Sequence, residues 1–570
     1  MSMINLWNLD GKIKAGKPFL SNLREMVQPE KTFIKLIIIN SIAISFLSLI
    51  LPVSVQSIIT NLGVLNVTQP IMVMTLVLFV ILIFSGGIQV IQSYTIEVLR
   101  RRLFIRFGAE ILNHSTRYLD SHFQAVNRPQ LAKKYTDVLF AQVSMVTFFV
   151  DGIGFGVQYF ISMGLLCLYH PYFLIFAILI TFMLWCSWSF FGPNGVKAGR
   201  PESDSRYMAM GWMDEILRAR PLFMSSSGRK FAEKKFVSLL GDWNLKRNNL
   251  FNQQFAQTIS LQFFNAFVYS SLLGIGYLLV KKGELSVGQL VAAFIVVTML
   301  LSSLPRLQNF FLSIYDYSTN IDNLAEFWSH PVEEERELHH LQQGPMNFSF
   351  NKTEYPENVC LNLTLRPGEK VYAYVRSFAA ARTLVKALEG FLPPMKGDML
   401  IDGLRWDDLN FSQHRERLAV IGIGRFFSGS VRENMTAFSN KPISITEIED
   451  ALERVGLLEK IKSLPMGIDD QILPNGYPLS LSESIALQVA RALVMKPDLI
   501  IMTNDFDKMS HLRRKAVKQV LLDSSHPWTI LFLSQRLLKA SFSRYLILDR
   551  HDSIEIKNED EILEEIEKDE

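Results

Sequence analysis

Six apolar stretches constrain this chain more than any other feature. They run approximately over 33–55, 71–93, 141–168, 171–191, 258–280 and 287–312. Each is long enough to cross a hydrocarbon core about 30 Å thick. One such stretch alone is compatible with a buried core helix, but six in succession specify a helical membrane domain. The third and fourth are parted only by the Tyr169-His170-Pro171 corner. The first 325 of the 570 residues carry most of the long apolar runs, and the rest reads as soluble protein. The mean hydropathy of +0.18 is the average of these two unlike halves.

Basic residues orient the spans, because loops rich in Lys and Arg stay on the cytoplasmic side. The N-terminal tail carries Lys12, Lys14, Lys17, Arg24 and Lys31. Segment 55–70 and the Tyr169–Pro171 corner carry none. Segment 94–140 holds Arg100, Arg101, Arg102, Arg106, Arg117, Arg128, Lys133 and Lys134; segment 192–254 holds Lys197, Arg200, Arg218, Arg220, Arg229, Lys230, Lys234 and Lys235, among others. Lys281 and Lys282 run against the pattern. The N-terminus and both long segments are therefore expected in the cytoplasm. Those segments have helical patterning, so with their flanking spans they form long projecting helices.

Asp151 is the obvious ionisable residue within a span, beside Gly152 and Gly154. Charge at membrane depth is costly and marks a cavity or a partner. It either lines a polar cavity on a transport path or sits wet at the cytoplasmic interface. The net charge of +3 is too small to argue for nucleic acid. Cys167, Cys186 and Cys360 are far apart and read as small buried hydrophobes, with no disulfide or metal role. The first 30 residues lack the short apolar core and cleavage site of a signal peptide.

Beyond the spans, 326–345 is a polar linker and 555–570 an acidic tail, expected as a solvated helix or tail. Between them, over 346–554, strand-like and helix-like runs alternate, the pattern of an α/β domain.

Several stretches in order resemble the exporter class of ABC transporters. In the membrane half these are LPVSVQSIITN (51–61), KKGELSVGQLVAAF (281–294) and the two long hairpins, which in that family end in short coupling helices docked on the nucleotide-binding domain. In the soluble half, LNLTLRPGEKVYAYV (361–375), MKGDMLIDGLRWDDLN (395–410), RFFSGSVRENM (425–435) and LERVGLLEKIKSLPMGIDDQILPNGYPLSLSESIALQVARALVMKPDLIIM (452–502) run collinearly with the family's domain. The resemblance implies six transmembrane helices with long cytoplasmic extensions fused to an α/β ABC-type domain, in a bacterial inner membrane, with the C-terminal domain cytoplasmic.

That family needs glycines whose N–H groups wrap phosphates, a lysine and a hydroxyl for phosphate and magnesium, and acids at a strand end. By the resemblance, the phosphate-loop glycines fall on Val375, Phe378 and Ala380, the lysine on Ala381 and the magnesium hydroxyl on Arg382, with Thr383 next to it. The switch glutamine falls on Gly422, the signature on Ser480, Leu481 and Ser482, the two acids on Thr503 and Asn504, and the switch histidine on Gln535. Phe350 or Tyr355 stands for the adenine-stacking aromatic, or simply packs the core. Arg382 either stands in for the lysine or is a surface or packing arginine. The implication is a degenerate domain that binds no ATP or magnesium strongly, has no metal site and lacks ATPase activity on its own.

The expected partners are the lipid bilayer, a second half-transporter subunit in a homo- or heterodimer, and a secretion or membrane-fusion partner; nucleic acid is not expected. The leading reading is one half of a dimeric transport complex. A non-transporting membrane scaffold and an ATP-driven exporter with atypical motifs are the alternatives. The first 30 residues leave no room for the peptidase-like domain of bacteriocin and toxin exporters. The 41 phenylalanines would suit lipid or peptide cargo or simply pack, so the substrate stays open.

Overall fold

Proline accounts for two of the breaks between the membrane helices, although the helix Tyr172–Arg218 runs on through Pro193 and Pro201. In the computed structural model, the described residues are 28–61, 68–119, 135–169, 171–333, 344–439, 441–536, 542–551, 553–556 and 561–564. They divide into two units, Met1–Val332 and Glu333–Glu570. Among the described residues the first unit forms α1 (Lys31–Ser48), α2 (Ile50–Asn61), α3 (Thr68–Ser115), α4 (Asp137–Tyr169), α5 (Tyr172–Arg218), α6 (Arg220–Phe223), α7 (Ser226–Lys282), α8 (Val287–Ser302) and α9 (Leu304–Ser329). Pro52 has no N–H and its ring would meet the Ser48 carbonyl, so the helix breaks at Leu49. Pro305 does the same at Ser303. The expected spans 33–55 and 287–312 are thus two helices each.

Among the described residues six helical segments are long and apolar enough to cross a membrane. Helices α3, α5 and α7 have 48, 47 and 57 residues, so at 1.5 Å per residue each reaches about 70 Å or more, over twice a hydrocarbon core. Helix α7 starts at the N-cap Ser225, whose Oγ accepts the Gly228 N–H at 3.0 Å, and ends at left-handed Gly283. Lys281 and Lys282 occupy its last turn. There they complement the negative end of the helix dipole, a physical reason for two lysines that ran against the charge pattern.

The unit packs around two apolar clusters. Ile37, Leu99, Phe107, Met145 and Leu324 join α1, α3, α4 and α9. Leu166, Leu272, Val297 and Phe311 join α4, α7, α8 and α9. Helix α5 comes close to α9 at Gly195 and Gly199. A Cβ at Gly195 would lie 2.7 Å from the Tyr315 ring, and one at Gly199 would strike Thr319. Small residues four apart let two backbones approach in this way.

In the second unit β1 (Phe348–Tyr355), β2 (Val359–Leu365), β3 (Lys370–Val375), β4 (Lys396–Ile401), β5 (Leu404–Arg405), β6 (Leu418–Ile421), β7 (Gly429–Ser430), β8 (Gln471–Ile472), β9 (Leu499–Met502), β10 (Thr529–Ser534), β11 (Arg544–Leu548) and β12 (Ser553–Ile556) alternate with α10 (Phe378–Leu388), α11 (Phe411–Glu416), α12 (Val431–Thr436), α13 (Ile445–Arg454), α14 (Leu458–Lys462), α15 (Leu481–Met495) and α16 (His511–Leu522). One sheet is antiparallel, in the order β2-β1-β4-β5; the main sheet runs β12-β11-β3-β10-β9-β6. In the main sheet only β12 is antiparallel to its neighbour. Alternate residues of the strands face opposite cores. Val371, Ile501, Leu531 and Leu546 pack with α10 and the antiparallel sheet. Tyr372, Ile500, Phe532 and Ile547 pack with α13, α15 and α16. Both faces are covered, which is why these strands read as continuous apolar runs.

From β3 the chain crosses to edge strand β6, returns through β9 and β10, and passes beyond β3 to β11. A crevice at the carboxyl ends of strands where the order reverses is where open α/β sheets hold ligands. Helix α9 runs to Ser329, so the expected linker at 326–345 begins in helix, and its residues 334–343 lie outside the described residues. Strand β12 crosses the expected 554/555 boundary. The N-terminal segment up to 27 and the tail at 557–560 and 565–570 also lie outside the described residues.

Candidate functional site

The fold brings most of the sequence-derived positions to one place. Val375 ends β3, Gly422 follows β6, Thr503 and Asn504 follow β9, and Gln535 follows β10. These are the carboxyl ends of four strands of one sheet. Ser480, Leu481 and Ser482 lie at the start of α15, where Ser482 Oγ accepts the Ser510 N–H at 3.0 Å, and no bond joins them to the strand-end positions among the described residues.

After β3 the backbone makes a short turn. The N–H groups of Arg376 and Ser377 both donate to Leu548 O, at 3.1 and 3.0 Å. Ser377 caps α10, its Oγ accepting the Ala380 N–H at 3.4 Å. Phe378, Ala379 and Ala380 therefore lie in the first helical turn, where alanine is favoured over glycine. Phe378 is 55% exposed, whereas Ala380, Ala381 and Thr383 are buried. Arg382 points to Glu357, at 2.9 and 3.1 Å. That is the surface-arginine alternative. Gln535 Nε2 donates to Val375 O at 3.4 Å, and its N–H goes to Asp507 Oδ2 at 2.9 Å. Asp507 Oδ1 also accepts from Ser534 Oγ at 2.7 Å.

The corner after β6 and β9 is tighter still. The Gln488 side chain grips Gly422 twice, accepting its N–H at 3.0 Å and donating to its carbonyl at 2.8 Å. A Cβ on Gly422 would lie 2.5 Å from Thr503 Oγ1 and 3.2 Å from Asp505 Oδ2. Thr503 Oγ1 donates to Ile421 O at 2.9 Å and Asp505 Oδ2 at 3.2 Å. Asp505 also accepts the Ile423 N–H at 3.0 Å and pairs with Lys508 at 2.8 Å. Partial burial would raise its pKa, but Lys508 and the Ile423 N–H outweigh that and hold the carboxyl below the usual range.

At the signature position Ser480 forms a capping box with Glu483. Its N–H and Oγ both donate to Glu483 Oε2 at 2.9 Å. Desolvation works to raise the Glu483 carboxyl, and the two Ser480 bonds with Arg513 hold it below the usual range. An anionic side chain already sits on the N-terminus of α15, the end that attracts negative charge. Phe350 and Tyr355 are 1% and 2% exposed within the core, the packing alternative. The three cysteines are free, and half-buried rather than buried.

Sequence reasoning singled out none of Gln488, Asp505, Asp507 and Glu483. Glu483 carried a legible signal, the Ser-x-x-Glu spacing of a capping box. The others act on residues far away in sequence.

In the membrane unit Asp151 is not the sole charge at depth. Asn309 of α9 neighbours its carboxylate, and Arg306 and Arg100 supply opposite charge. Arg306 lies inside the expected sixth span, so treating Asp151 as the one obvious ionisable residue is corrected here. The apolar residues around Arg306 hid it.

Residues 361–504 match the family model described as ABC transporter. Over 563 residues the chain is 22% identical to the exotoxin translocation ATP-binding protein PaxB of Pasteurella aerogenes, spanning 95% of this chain and 77% of that protein. It is 21% identical over 332 residues to the ATP-dependent lipid A-core flippase of Photobacterium profundum, 57% of each. The solved structure of a bacterial Atm1-family ABC exporter with ATP bound aligns with a TM-score of 0.78 at 16% identity, covering 95% of this chain and 96% of that one. Residues 361–504 are thus an ABC transporter domain, and with six apolar helices ahead of it among the described residues the chain has the fold of an ABC exporter, a six-span helical unit fused to an α/β domain.

Proposed function

We propose that this chain is a membrane subunit of an exporter-like complex whose ABC domain neither binds ATP tightly nor hydrolyses it. The observation that carries this reading is the corner at Gly422. The place of the family's switch glutamine has no room for a side chain, and its backbone is held by Gln488. The same holds around it. Turn N–H groups that would cradle phosphate donate to Leu548 O, buried Ala381 replaces the lysine, and Thr503 and Asn504 replace the acids. ATP and magnesium therefore do not fit the residues present. A lysine and a metal supply most of the charge that offsets a triphosphate.

A domain that keeps its packing and loses this chemistry serves as a docking and positioning body. We infer that the chain is one half of a dimeric transport complex, with its soluble unit in the cytoplasm of a bacterial cell. Asp151, with Arg306 and Asn309, contributes to the polar wall of the transport path. The relatives' printed names, which include "ATP-binding", favour a second reading in which the chain is itself ATP-driven. Titrating a fluorescent ATP analogue with magnesium into the purified full-length chain decides between them. No saturation is expected, and micromolar binding displaced by ATP would overturn the proposal.

A further inference from the structure

Polar residues between two folded units read as a free tether, and the stretch 326–345 has that composition. The bonds at its described ends place the freedom of the chain elsewhere.

Up to Val332 the chain is held to the membrane unit. His114 Nε2 of α3 lies 3.3 Å from His330 O. The Tyr118 ring meets the His330 ring edge-on, with centroids 5.3 Å apart, and its hydroxyl donates to Phe327 O at 2.8 Å. The Leu119 N–H donates to Pro331 O at 3.1 Å, and Tyr118 pairs with Val332 in an antiparallel bridge. Residues 330–332 are therefore clamped to the chain that leaves α3.

From Glu333 onward the chain is held to the soluble unit. Glu333 accepts from both Nη1 and Nη2 of Arg415, each at 2.8 Å. Arg415 is itself fixed. Its Nε donates to Glu389 O at 2.9 Å, its Nη2 to Gly390 O at 3.2 Å, and its guanidinium lies over the Phe391 ring, 4.4 Å from the centroid. A two-pronged bond from a half-buried arginine held in this way is directional as well as strong. Arg417, the C-cap of the same helix α11, donates to Gly344 O at 2.7 Å while paired with Asp402 and Asp498. Asp402 also accepts the Asn347 N–H at 2.8 Å, just before β1.

Residues 334–343 thus begin and end on neighbouring arginines of one helix, so their length adds no reach between the units. Between the last residue held to the membrane unit and the first held to the soluble unit there is a single peptide link. Its soft rotations are the ψ of Val332 and the φ of Glu333. The division of the chain into two units falls at the same link.

We propose that Val332–Glu333 is the hinge of the chain, and that 334–343 belongs to the soluble unit instead of tethering the two. A hinge this short passes a rotation of one unit on to the other, where a free linker would absorb it. The pair of Arg415 with Glu333 sets where the slack begins.

The test uses the full-length chain in lipid nanodiscs, diluted with unlabelled chain, with its three cysteines changed to serine. Spin labels go on Leu112→Cys in the membrane unit and Met466→Cys in the soluble unit, both exposed positions, and pulsed EPR reads the distance distribution between them. Gly-Ser-Gly-Ser inserted between Val332 and Glu333 should broaden that distribution by about 10 Å, the reach of so short a flexible segment. The same insert between Leu338 and His339 should leave it unchanged. Arg415→Ala should broaden it without any insert, and Glu333→Ala should do the same from the other side of the pair. The comparison of the two inserts stands even if Arg415→Ala fails to fold. Broadening by the 338/339 insert as large as by the 332/333 insert, or none from the 332/333 insert, overturns the hinge. A distribution left sharp by both Arg415→Ala and Glu333→Ala overturns the role of the pair.

Discussion

The carboxyl ends of β3, β6, β9 and β10 and the cavity among α4, α5, α7 and α9 are both polar crevices, and they treat charge in opposite ways. In the soluble unit Asp505, Asp507 and Glu483 each have N–H, hydroxyl or cationic partners within the chain. In the membrane unit Asp316 and Arg247 face open volume with no bonded partner among the described residues. Satisfied polar networks stiffen a fold. The difference teaches that polar groups satisfied within the chain and polar groups lining open volume can occupy separate parts of one chain.

Substitutions in the closed crevice should therefore cost stability, and those in the open one should not. The largest effect is expected for Gly422→Gln. Overpacking against Thr503 should cost about 3 kcal/mol, seen as a fall of about 6–12 °C in the melting of the soluble unit within the full chain. An unchanged melting point would show that the corner has slack after all. Gln488→Leu comes next, since it leaves the Gly422 N–H and carbonyl buried and unpaired, at about 2 kcal/mol.

Asp505 sharpens the contrast through pH. Its folded pKa is lowered, so its contribution is fully present above the unfolded value of about 4 and fades as pH falls through the lower folded value. Asp505→Asn should lower melting at pH 7 by about 1 kcal/mol equivalent and flatten the acid limb of the melting curve. A variant with the native acid limb would remove Asp505 from the network. Arg382→Ala should cost less than about 0.5 kcal/mol, because the pair with Glu357 is exposed. Asp316→Asn should change melting least of all, because its carboxylate makes no hydrogen bond among the described residues. A loss comparable to that of Gln488→Leu would make Asp316 structural and collapse the distinction between the two crevices.

The spans and the α/β domain were legible because hydrophobic period and strand-like runs are local properties. The breaks at Leu49 and Ser303 were local too, written in Pro52 and Pro305, yet hydropathy alone runs straight across them. The site was legible as a set of positions: 375–383, 422, 503, 504 and 535 do meet at the ends of adjacent strands. Their partners were not. Gln488 reaches Gly422 across 66 residues and Asp505 reaches Ile423 across 82. No local pattern announces such contacts, because they exist only once β6, β9 and α15 are packed. The coupling of Arg247 to Asp316 in the membrane unit was hidden for the same reason, the two lying on α7 and α9.

A longer side chain at 422 can arrive only after room has been made for it. Thr503 Oγ1 and Asp505 Oδ2 fill the volume that its first carbon would need. Mutational paths through this corner are consequently ordered, with a smaller residue at 503 preceding any growth at 422. Thr503→Ala should recover part of what Gly422→Gln loses, whereas the reverse order passes through a damaged domain. A chain settled into this packing gains a longer side chain at 422 in two steps at least, so the glycine there is locked in by its neighbours.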